Sequence, residues 1–181
     1  MGNCFLQARR LFLRPLTFDD AAAVFRYRSD PEVRRFQSWR PSTLEEVEEF
    51  LRTRLAAEPD LPETWFQFAI CRNEPMEILG DCGLHFLSAG SQQVEVGITL
   101  APEQWGKGYA TEVLDRVFHY LFEELGKHRI IASVDPHNRA SIRLLERMKM
   151  RREAHFVESI RDGDRWVDDV VYAILAREWT E

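Results

Sequence analysis

Several features that mark large classes of protein are scarce or missing in this sequence. No run approaches the roughly 20 apolar residues that a membrane-spanning helix needs, so we expect no membrane partner. The three cysteines, Cys4, Cys71 and Cys82, are an odd number without metal-type spacing, which favours a reducing, cytoplasmic location. None of the five histidines has another four residues away, and we therefore expect no bound metal.

An excess of positive charge is also missing, since the formal net charge is −6. Nucleic-acid-binding proteins normally carry a basic footprint, so this sequence gives no indication of a nucleic-acid partner. Long-range attraction instead mildly favours cationic substrates such as amines. The 181 residues contain no repeat or linker, and we interpret residues 1–181 as one domain, either a monomer or a homodimer.

The stretch from residue 93 to residue 126 is the most informative part of the chain. Gln93 to Leu100 is a short, mostly apolar run that predicts a buried strand. Ala110 to Leu125 has apolar residues at helical spacing, and Gly126 follows where a C-cap glycine is typical. The loop between them contains glycines and one lysine. Such a loop before a helix N-terminus suits a phosphate group.

The glycine spacing of this loop does not match two common nucleotide-binding motifs. A P-loop has four residues between its glycines and then Lys-Ser/Thr, which the loop lacks. A dinucleotide fingerprint requires a glycine at position 111, where this chain has threonine. Neither class of nucleotide-binding protein is therefore predicted.

Further strands and helices are predicted on both sides of the central stretch. The remaining strands are expected at Leu11–Leu16, Trp65–Cys71, Glu77–Leu87, Arg129–Val134, Glu153–Ile160 and Arg165–Ala176. Helices are expected after Thr17, from Ser42 or Thr43, and from Asn138. Strand, helix and strand around Gly126 form a right-handed crossover, so the strands containing Glu95 and Ile130 should be parallel. Asp162-Gly163 is typical of a tight hairpin turn.

Three segments together resemble the GNAT acyl-CoA N-acyltransferase superfamily, in its RimJ/RimL ribosomal-protein acetyltransferase branch. They are Glu95-Val-Gly-Ile-Thr-Leu100, Trp105-Gly-Lys-Gly-Tyr-Ala110 and Asn138-Arg-Ala-Ser141. The family's Gln/Arg-x-x-Gly-x-Gly/Ala motif falls on Trp105 to Ala110, with tryptophan replacing the leading residue. Lys149-Met150 also departs from the Gly-Phe that relatives often have. The resemblance covers nearly the whole chain but is specific only from about Glu95 to Ser141.

The resemblance implies a mixed α/β fold: a mostly antiparallel sheet of about seven strands, with a splayed parallel pair, flanked by about four helices. It also implies acetyl-CoA as cosubstrate, bound by the open strand, the glycine loop and the next helix. The implied cofactor-binding residues are Val96, Ile98, Thr99, Leu100, Trp105, Gly106, Lys107, Gly108, Tyr109, Ala110, Thr111, Asn138 and Ser141.

The resemblance further indicates where acyl transfer would occur. Glu95 is the candidate base for the amine, and Ser141 the candidate acid toward the leaving thiolate. The candidate acceptor-binding residues are Phe36, Trp39, His85 and Asp168. All of these except Asp168 also have a structural interpretation: a paired or solvent-facing strand carboxylate, a first-turn serine, core aromatic residues or a structural histidine.

The predicted function is direct transfer of an acetyl group from acetyl-CoA to a primary amine. The family branch implies a protein N-terminal α-amine as acceptor. Small amines such as polyamines, aminoglycosides or amino acids are the enzymatic alternative. A non-catalytic acyl-CoA-binding module is the alternative from another class of protein. It would bind the coenzyme without turnover and would be insensitive to changes at Glu95 or Ser141.

Overall fold

The computed structural model describes residues 5–54, 58–72, 74–88, 90 and 92–179, so Cys4 lies outside the described residues. The strands are β1 (Leu6–Gln7), β2 (Leu11–Pro15), β3 (Thr64–Arg72), β4 (Glu77–Phe86), β5 (Gln93–Leu100), β6 (Arg129–Val134), β7 (Arg151–Asp162) and β8 (Arg165–Leu175). The α-helices are α1 (Ala21–Arg28), α2 (Pro31–Arg34), α3 (Leu44–Arg54), α4 (Tyr109–His119) and α5 (Arg139–Arg147).

All eight described strands form one sheet in the order β1-β2-β3-β4-β5-β6-β8-β7. Neighbours are antiparallel except β5 and β6, which are parallel as the crossover predicts. The additional strand is β1, whose two residues pair with β2 and are too short to give an alternation signal. The predicted mixed, mostly antiparallel fold is therefore confirmed, with eight strands rather than seven.

Helices cover both faces of the sheet because consecutive residues of its central strands point to opposite sides. Phe68 and Ile70 of β3 belong to the larger core cluster, with the apolar residues of α4. Ala69 and Cys71 of the same strand pack instead with α1 and α3. A strand buried on both faces has no polar alternation, as the sequence of β3 shows.

The central helix begins and ends at glycines with left-handed backbone conformation. Gly108 is the N-cap of α4 with φ of 79°, and Gly126 has φ of 62° after a π-helical turn over Tyr120–Glu124. Side chains with a Cβ atom rarely adopt these angles, so glycine is strongly favoured at both positions. The predicted helix limits are confirmed.

The start of α1 is fixed by a half-buried ion pair. Asp20 accepts hydrogen bonds from Arg14 at 2.7 and 2.8 Å and from the backbone N–H of Thr17 at 2.7 Å. Burial alone would raise the pKa of Asp20. The hydrogen bonds and the charge of Arg14 outweigh burial and hold this pKa below its ordinary value.

The β7–β8 hairpin closes the sheet and extends past its neighbour. Val170 is the residue of β8 nearest the turn that still pairs with β6. The residues of β8 between Val170 and the turn pair only with β7. Gly163 has φ of 62° in the turn, as the Asp-Gly signal predicts. The tip of the hairpin therefore stands beyond the end of β6, next to the gap described below.

Candidate active site

The parallel strands β5 and β6 separate after three paired residues. Their register is Gln93 with Arg129, Val94 with Ile130 and Glu95 with Ile131, and pairing stops there. From Val96 to Leu100, β5 is paired only with β4, while β6 pairs with β8. Backbone groups on the open edge of β5 need another partner, and an amide-containing ligand provides one.

A cavity of about 590 Å³ occupies this gap and continues to the acceptor side of the sheet. Many of the predicted site residues line it. They are Phe36, Trp39, Glu95, Val96, Ile98, Thr99, Asn138, Ser141 and Asp168. The remaining predicted residues, which lie outside the lining, are His85, Leu100 and Trp105 to Thr111.

The glycine loop precedes α4 at the end of the open strand. Gly106 and Gly108 have φ of 74° and 79°, and a Cβ atom on Gly106 would meet no described atom within 4 Å. The indole Nε1 of Trp105 donates to the carbonyl of Leu100 at 2.9 Å, which joins the loop to the end of β5. Lys107 donates to Gln104 at 3.1 Å. The loop thus has open space, left-handed glycines and a cation in front of a helix N-terminus.

Arg10 anchors this loop and was not predicted from the sequence. Its backbone N and Nε bind the carboxylate of Glu112 at 2.5 and 2.7 Å, and its Nη1 donates to the carbonyl of Lys107 at 3.0 Å. Its guanidinium also lies 4.5 Å from the centre of the Tyr109 ring, which is buried. These contacts join positions about a hundred residues apart, so local sequence gives no signal for them.

The first turn of α5 forms the other wall of the gap. Asn138 is the N-cap, and its Oδ1 accepts a hydrogen bond from the backbone N–H of Ser141 at 3.1 Å. This bond occupies the side-chain oxygen only. Arg147 at the end of the helix donates to Thr111 of α4 at 3.3 Å. This bond joins the end of α5 to the first turn of α4.

Glu95 lies where the two parallel strands separate. Its carboxylate is half-buried, and the Nδ1 of His85 on β4 lies 3.4 Å from its Oε2. The His85 ring stacks on Trp65 with 4.7 Å between centroids. His85 thus contacts the candidate base instead of lining the cavity, while Trp65 does line it. This arrangement places a carboxylate and an imidazole together beside the gap.

Aromatic and acidic side chains form the acceptor side of the cavity. Trp39 stacks on Phe50 with 4.0 Å between centroids, so part of the aromatic patch belongs to the core against α3. Asp168 accepts hydrogen bonds from the backbone of Glu158 at 2.9 Å and from His155 at 2.6 Å. These bonds lower the pKa of Asp168. It is therefore a carboxylate with protein partners that also borders the cavity.

A buried charged network beneath the acceptor side was also not predicted. Asp81 of β4 accepts hydrogen bonds from Tyr27, from Gln67 and twice from Arg28, at distances between 2.5 and 2.9 Å. Burial alone would lower the pKa of Arg28, but the charge and hydrogen bonds of Asp81 raise it. Burial and Asp81 raise the pKa of Tyr27. The sequence feature that could have indicated this network is Asp81 within the otherwise apolar run Leu79-Gly-Asp-Cys82, because a buried charge needs partners.

Two negative findings concern the described part of the chain. Within it, no helix is long and apolar enough to cross a membrane. Nor does any group of three histidine, cysteine or acidic side chains there have a geometry suited to a metal ion.

A splayed parallel pair, a glycine loop before a helix and a cavity through the gap define the class of acyl-CoA-dependent N-acyltransferases. The open backbone edge fits the amides of a pantetheine arm, and the loop fits a pyrophosphate. The chain belongs to the GNAT acetyltransferase family, because the family model described as "Acetyltransferase (GNAT) domain" matches residues 10–151. It is an acetyl-CoA-dependent N-acetyltransferase.

Individual relatives agree with this assignment. A GNAT-family acetyltransferase structure from Bacillus anthracis has a TM-score of 0.86 and 32% identity, covering 96% of this chain and 99% of that one. The [ribosomal protein uS5]-alanine N-acetyltransferase of Escherichia coli (strain K12) is 28% identical over 116 residues, 64% of this chain and 60% of that enzyme. Spermidine N-acetyltransferase from Vibrio cholerae, solved with CoA and spermine, has a TM-score of 0.81 at 22% identity, covering 93% and 97%.

Proposed function

We propose that this enzyme transfers the acetyl group of acetyl-CoA to the α-amine at the N-terminus of a protein. The observation that carries the proposal is the continuous cavity, which runs from Asn138 and Ser141 through the sheet gap to Phe36 and Trp39. Donor and acceptor entering from these two sides would meet at Glu95. The similarity to the ribosomal-protein acetyltransferase of Escherichia coli supports a protein N-terminus as the acceptor.

The cofactor side is assigned to three elements of the single catalytic domain. The open edge of β5, from Val96 to Leu100, would accept the amides of the coenzyme. The backbone N–H groups from Gly106 to Ala110, with the Lys107 ammonium, would hold its pyrophosphate. Asn138 would contact the coenzyme through the side-chain amide that its N-cap bond leaves available.

The thioester of acetyl-CoA supplies the activated acetyl group, and the protein supplies proton transfer and position. An ammonium acceptor must lose a proton before its nitrogen attacks, and Glu95 is placed to accept that proton directly or through water. His85, 3.4 Å from Glu95, positions the carboxylate. The hydroxyl of Ser141 would donate to the departing thiolate. No covalent acetyl-enzyme is required.

A small amine is the second candidate acceptor, favoured by a specific observation. The carboxylates of Glu95, Asp168 and Asp169 all line the cavity, and negative side chains suit a cationic substrate. Polyamines, aminoglycosides and amino acids belong to this group. A non-catalytic acyl-CoA-binding module is the third candidate, and it is distinguished from the others by the absence of turnover.

The proposal is tested by coenzyme binding followed by an amine screen. Acetyl-CoA should raise the melting temperature as its concentration passes the dissociation constant. Release of free thiol is then measured with N-terminal peptides, polyamines and amino acids. In Glu95→Gln we expect kcat to fall by roughly 10²- to 10⁴-fold, with the acetyl-CoA-induced melting shift retained. Ser141→Ala should give a smaller decrease.

Three results would contradict different parts of the proposal. Coenzyme binding without thiol release on any amine would support the binding module. Turnover on small amines with none on peptides would replace the protein N-terminus by the second candidate. Full activity of both variants would remove Glu95 and Ser141 from catalysis but leave the transfer reaction in place.

A further inference from the structure

The charges that line the acceptor side of the cavity are unevenly paired. Four arginines and six carboxylates border it. Arg28 is paired with Asp81, and Arg40 is paired with Asp162 at 2.7 Å. Arg35 and Arg161 remain. Among the described residues neither forms an ion pair: Arg35 lies over the neighbouring Phe36 ring, and Arg161 donates to a backbone carbonyl. Both side chains are exposed.

The two unpaired arginines border the same mouth of the cavity. Arg35 directly follows α2, and Arg161 is next to Asp162 near the tip of the β7–β8 hairpin. The Arg40–Asp162 ion pair joins these two segments, which are 122 residues apart in sequence. Two guanidinium groups without an ion-pair partner among the described residues therefore line one cavity, in segments that the Arg40–Asp162 ion pair joins.

Two carboxylates of the lining that have no arginine partner among the described residues belong to strands of the sheet. Glu95 is at the point where β5 and β6 separate, and Asp169 of β8 accepts a hydrogen bond from Ser133 of β6 at 2.6 Å. Arg161 pairs with Trp166, three residues nearer the hairpin tip than Asp169. Three strand residues correspond to about 10 Å. The Arg161 end of the hairpin and the sheet carboxylates are thus separate parts of the cavity lining.

We propose that Arg35 and Arg161 form an anion-binding subsite for a carboxylate on the same molecule as the acceptor amine. The amine enters toward Glu95, and the carboxylate, several bonds away, stays at the mouth. An acidic side chain near a peptide N-terminus has this arrangement, and so does a small ω-amino acid. A polyamine does not, because its distal cation would face two arginines. This inference rests on the proposed acetyl transfer to an amine.

Matched acceptors test the subsite directly. Peptides beginning with alanine, amidated at the C-terminus, carry glutamate or glutamine at the second, third or fourth position. β-Alanine against β-alaninamide provides the small-molecule comparison. The glutamate peptide should be preferred at one of these positions by about tenfold in kcat/KM at low salt, mainly through KM. The preference should decrease as salt screens the charges.

Variants assign the preference to the two arginines. Arg35→Gln combined with Arg161→Gln should bring the glutamate-to-glutamine ratio close to one, while kcat on the glutamine peptide remains within about twofold of wild type. Arg26→Gln is the matched control, because Arg26 is exposed on α1 and outside the cavity lining. It should leave the ratio unchanged. Circular dichroism and the acetyl-CoA melting shift verify that each variant is folded.

The outcomes separate the subsite from the proposed function. A preference that the double variant abolishes and Arg26→Gln retains supports the subsite, and whichever acceptor pair shows it identifies the source of the carboxylate. If the wild type turns over both peptides with a glutamate-to-glutamine ratio of kcat/KM near one, the subsite is overturned and the proposed function is not. A preference for glutamate that survives in the double variant has the same consequence. Coenzyme binding without turnover on any acceptor overturns the proposed function as well.

Discussion

Replacing Gly106 with alanine should weaken acetyl-CoA binding, whereas the same change at Gly126 should not. Both glycines have left-handed backbone, with φ of 74° and 62°, and an added Cβ would meet no described atom within 4 Å at either position. Only Gly106 belongs to the loop assigned to the pyrophosphate. Gly108 is less suitable because its added Cβ would lie 3.5 Å from Arg10.

The expected magnitudes follow from this matched geometry. A left-handed alanine costs about 1–2 kcal/mol, so both variants should lose stability to a similar extent. In a protein of this size that corresponds to a decrease in Tm of roughly 2–8 °C. Relaxation of the Gly106 backbone would also misdirect loop N–H groups. Losing one charge-assisted hydrogen bond is worth about 1.5–3 kcal/mol, or roughly 10- to 150-fold in Kd.

Titration calorimetry with acetyl-CoA measures the difference, supported by melting curves at fixed ligand. At a ligand concentration 100 times Kd, binding contributes about 2.7 kcal/mol to the free energy of unfolding. The Gly106→Ala protein should lose from about half to nearly all of this contribution, and the Gly126→Ala protein should keep it. Wild-type Kd values in both variants would refute the assignment of the loop. An equal loss of acetyl-CoA affinity in both variants would show that backbone strain, and not the loop, controls affinity.

Three further predictions concern the surroundings of the site. Asp81→Asn should lower the free energy of unfolding by about 3–5 kcal/mol, because Arg28 would be left buried without its partner. The double variant Asp81→Leu with Arg28→Met should recover most of this loss. Urea denaturation measures both changes. Asp20→Asn should destabilise the protein above pH 3.8, since the folded-state pKa of Asp20 lies below its ordinary value of 3.8. The stability difference between the variant and wild type should close as pH falls through the folded-state pKa. A pH series of urea midpoints measures this difference. Trp105→Phe removes the indole bond to the Leu100 carbonyl and should raise the acetyl-CoA Kd by about threefold to tenfold with less than about 1 kcal/mol of lost stability.

Each of these predictions has a contrary result. A stability of Asp81→Asn within about 1 kcal/mol of wild type would mean that the buried network tolerates an unpaired arginine. A constant difference between Asp20→Asn and wild type across the acidic range would separate the stability loss from ionisation. Unchanged coenzyme affinity in Trp105→Phe would show that the link between loop and strand is dispensable.

Local patterns were sufficient where the relevant interactions are local. The strand, glycine loop and helix from Gln93 to Gly126 were predicted in order, because helical spacing, cap glycines and apolar runs act within a few residues. The parallel pairing of β5 with β6 followed from the handedness of the crossover. The two-residue strand β1 was not predicted, because it is defined only by its partner β2.

The candidate residues were predicted less completely than the fold. Glu95, Asn138 and Ser141 line one cavity as the resemblance implies, while His85 contacts Glu95 from the neighbouring strand instead of lining the cavity. Arg10 was not predicted at all. Its partners Lys107 and Glu112 are about a hundred residues away, and a surface arginine has no pattern that indicates such a contact.

Local sequence was enough to predict the class of fold, the phosphate-type loop and the glycines that flank the central helical stretch, since these depend on backbone preferences of nearby residues. The tertiary structure decided how far β5 and β6 remain paired, which arginine anchors the loop and which charges remain unpaired at the mouth of the cavity. These features depend on contacts between segments distant in the chain. Charge pairing in particular depends on distance in three dimensions: Arg40 pairs with Asp162, whereas Arg35 and Arg161 form no ion pair within the described part of the chain.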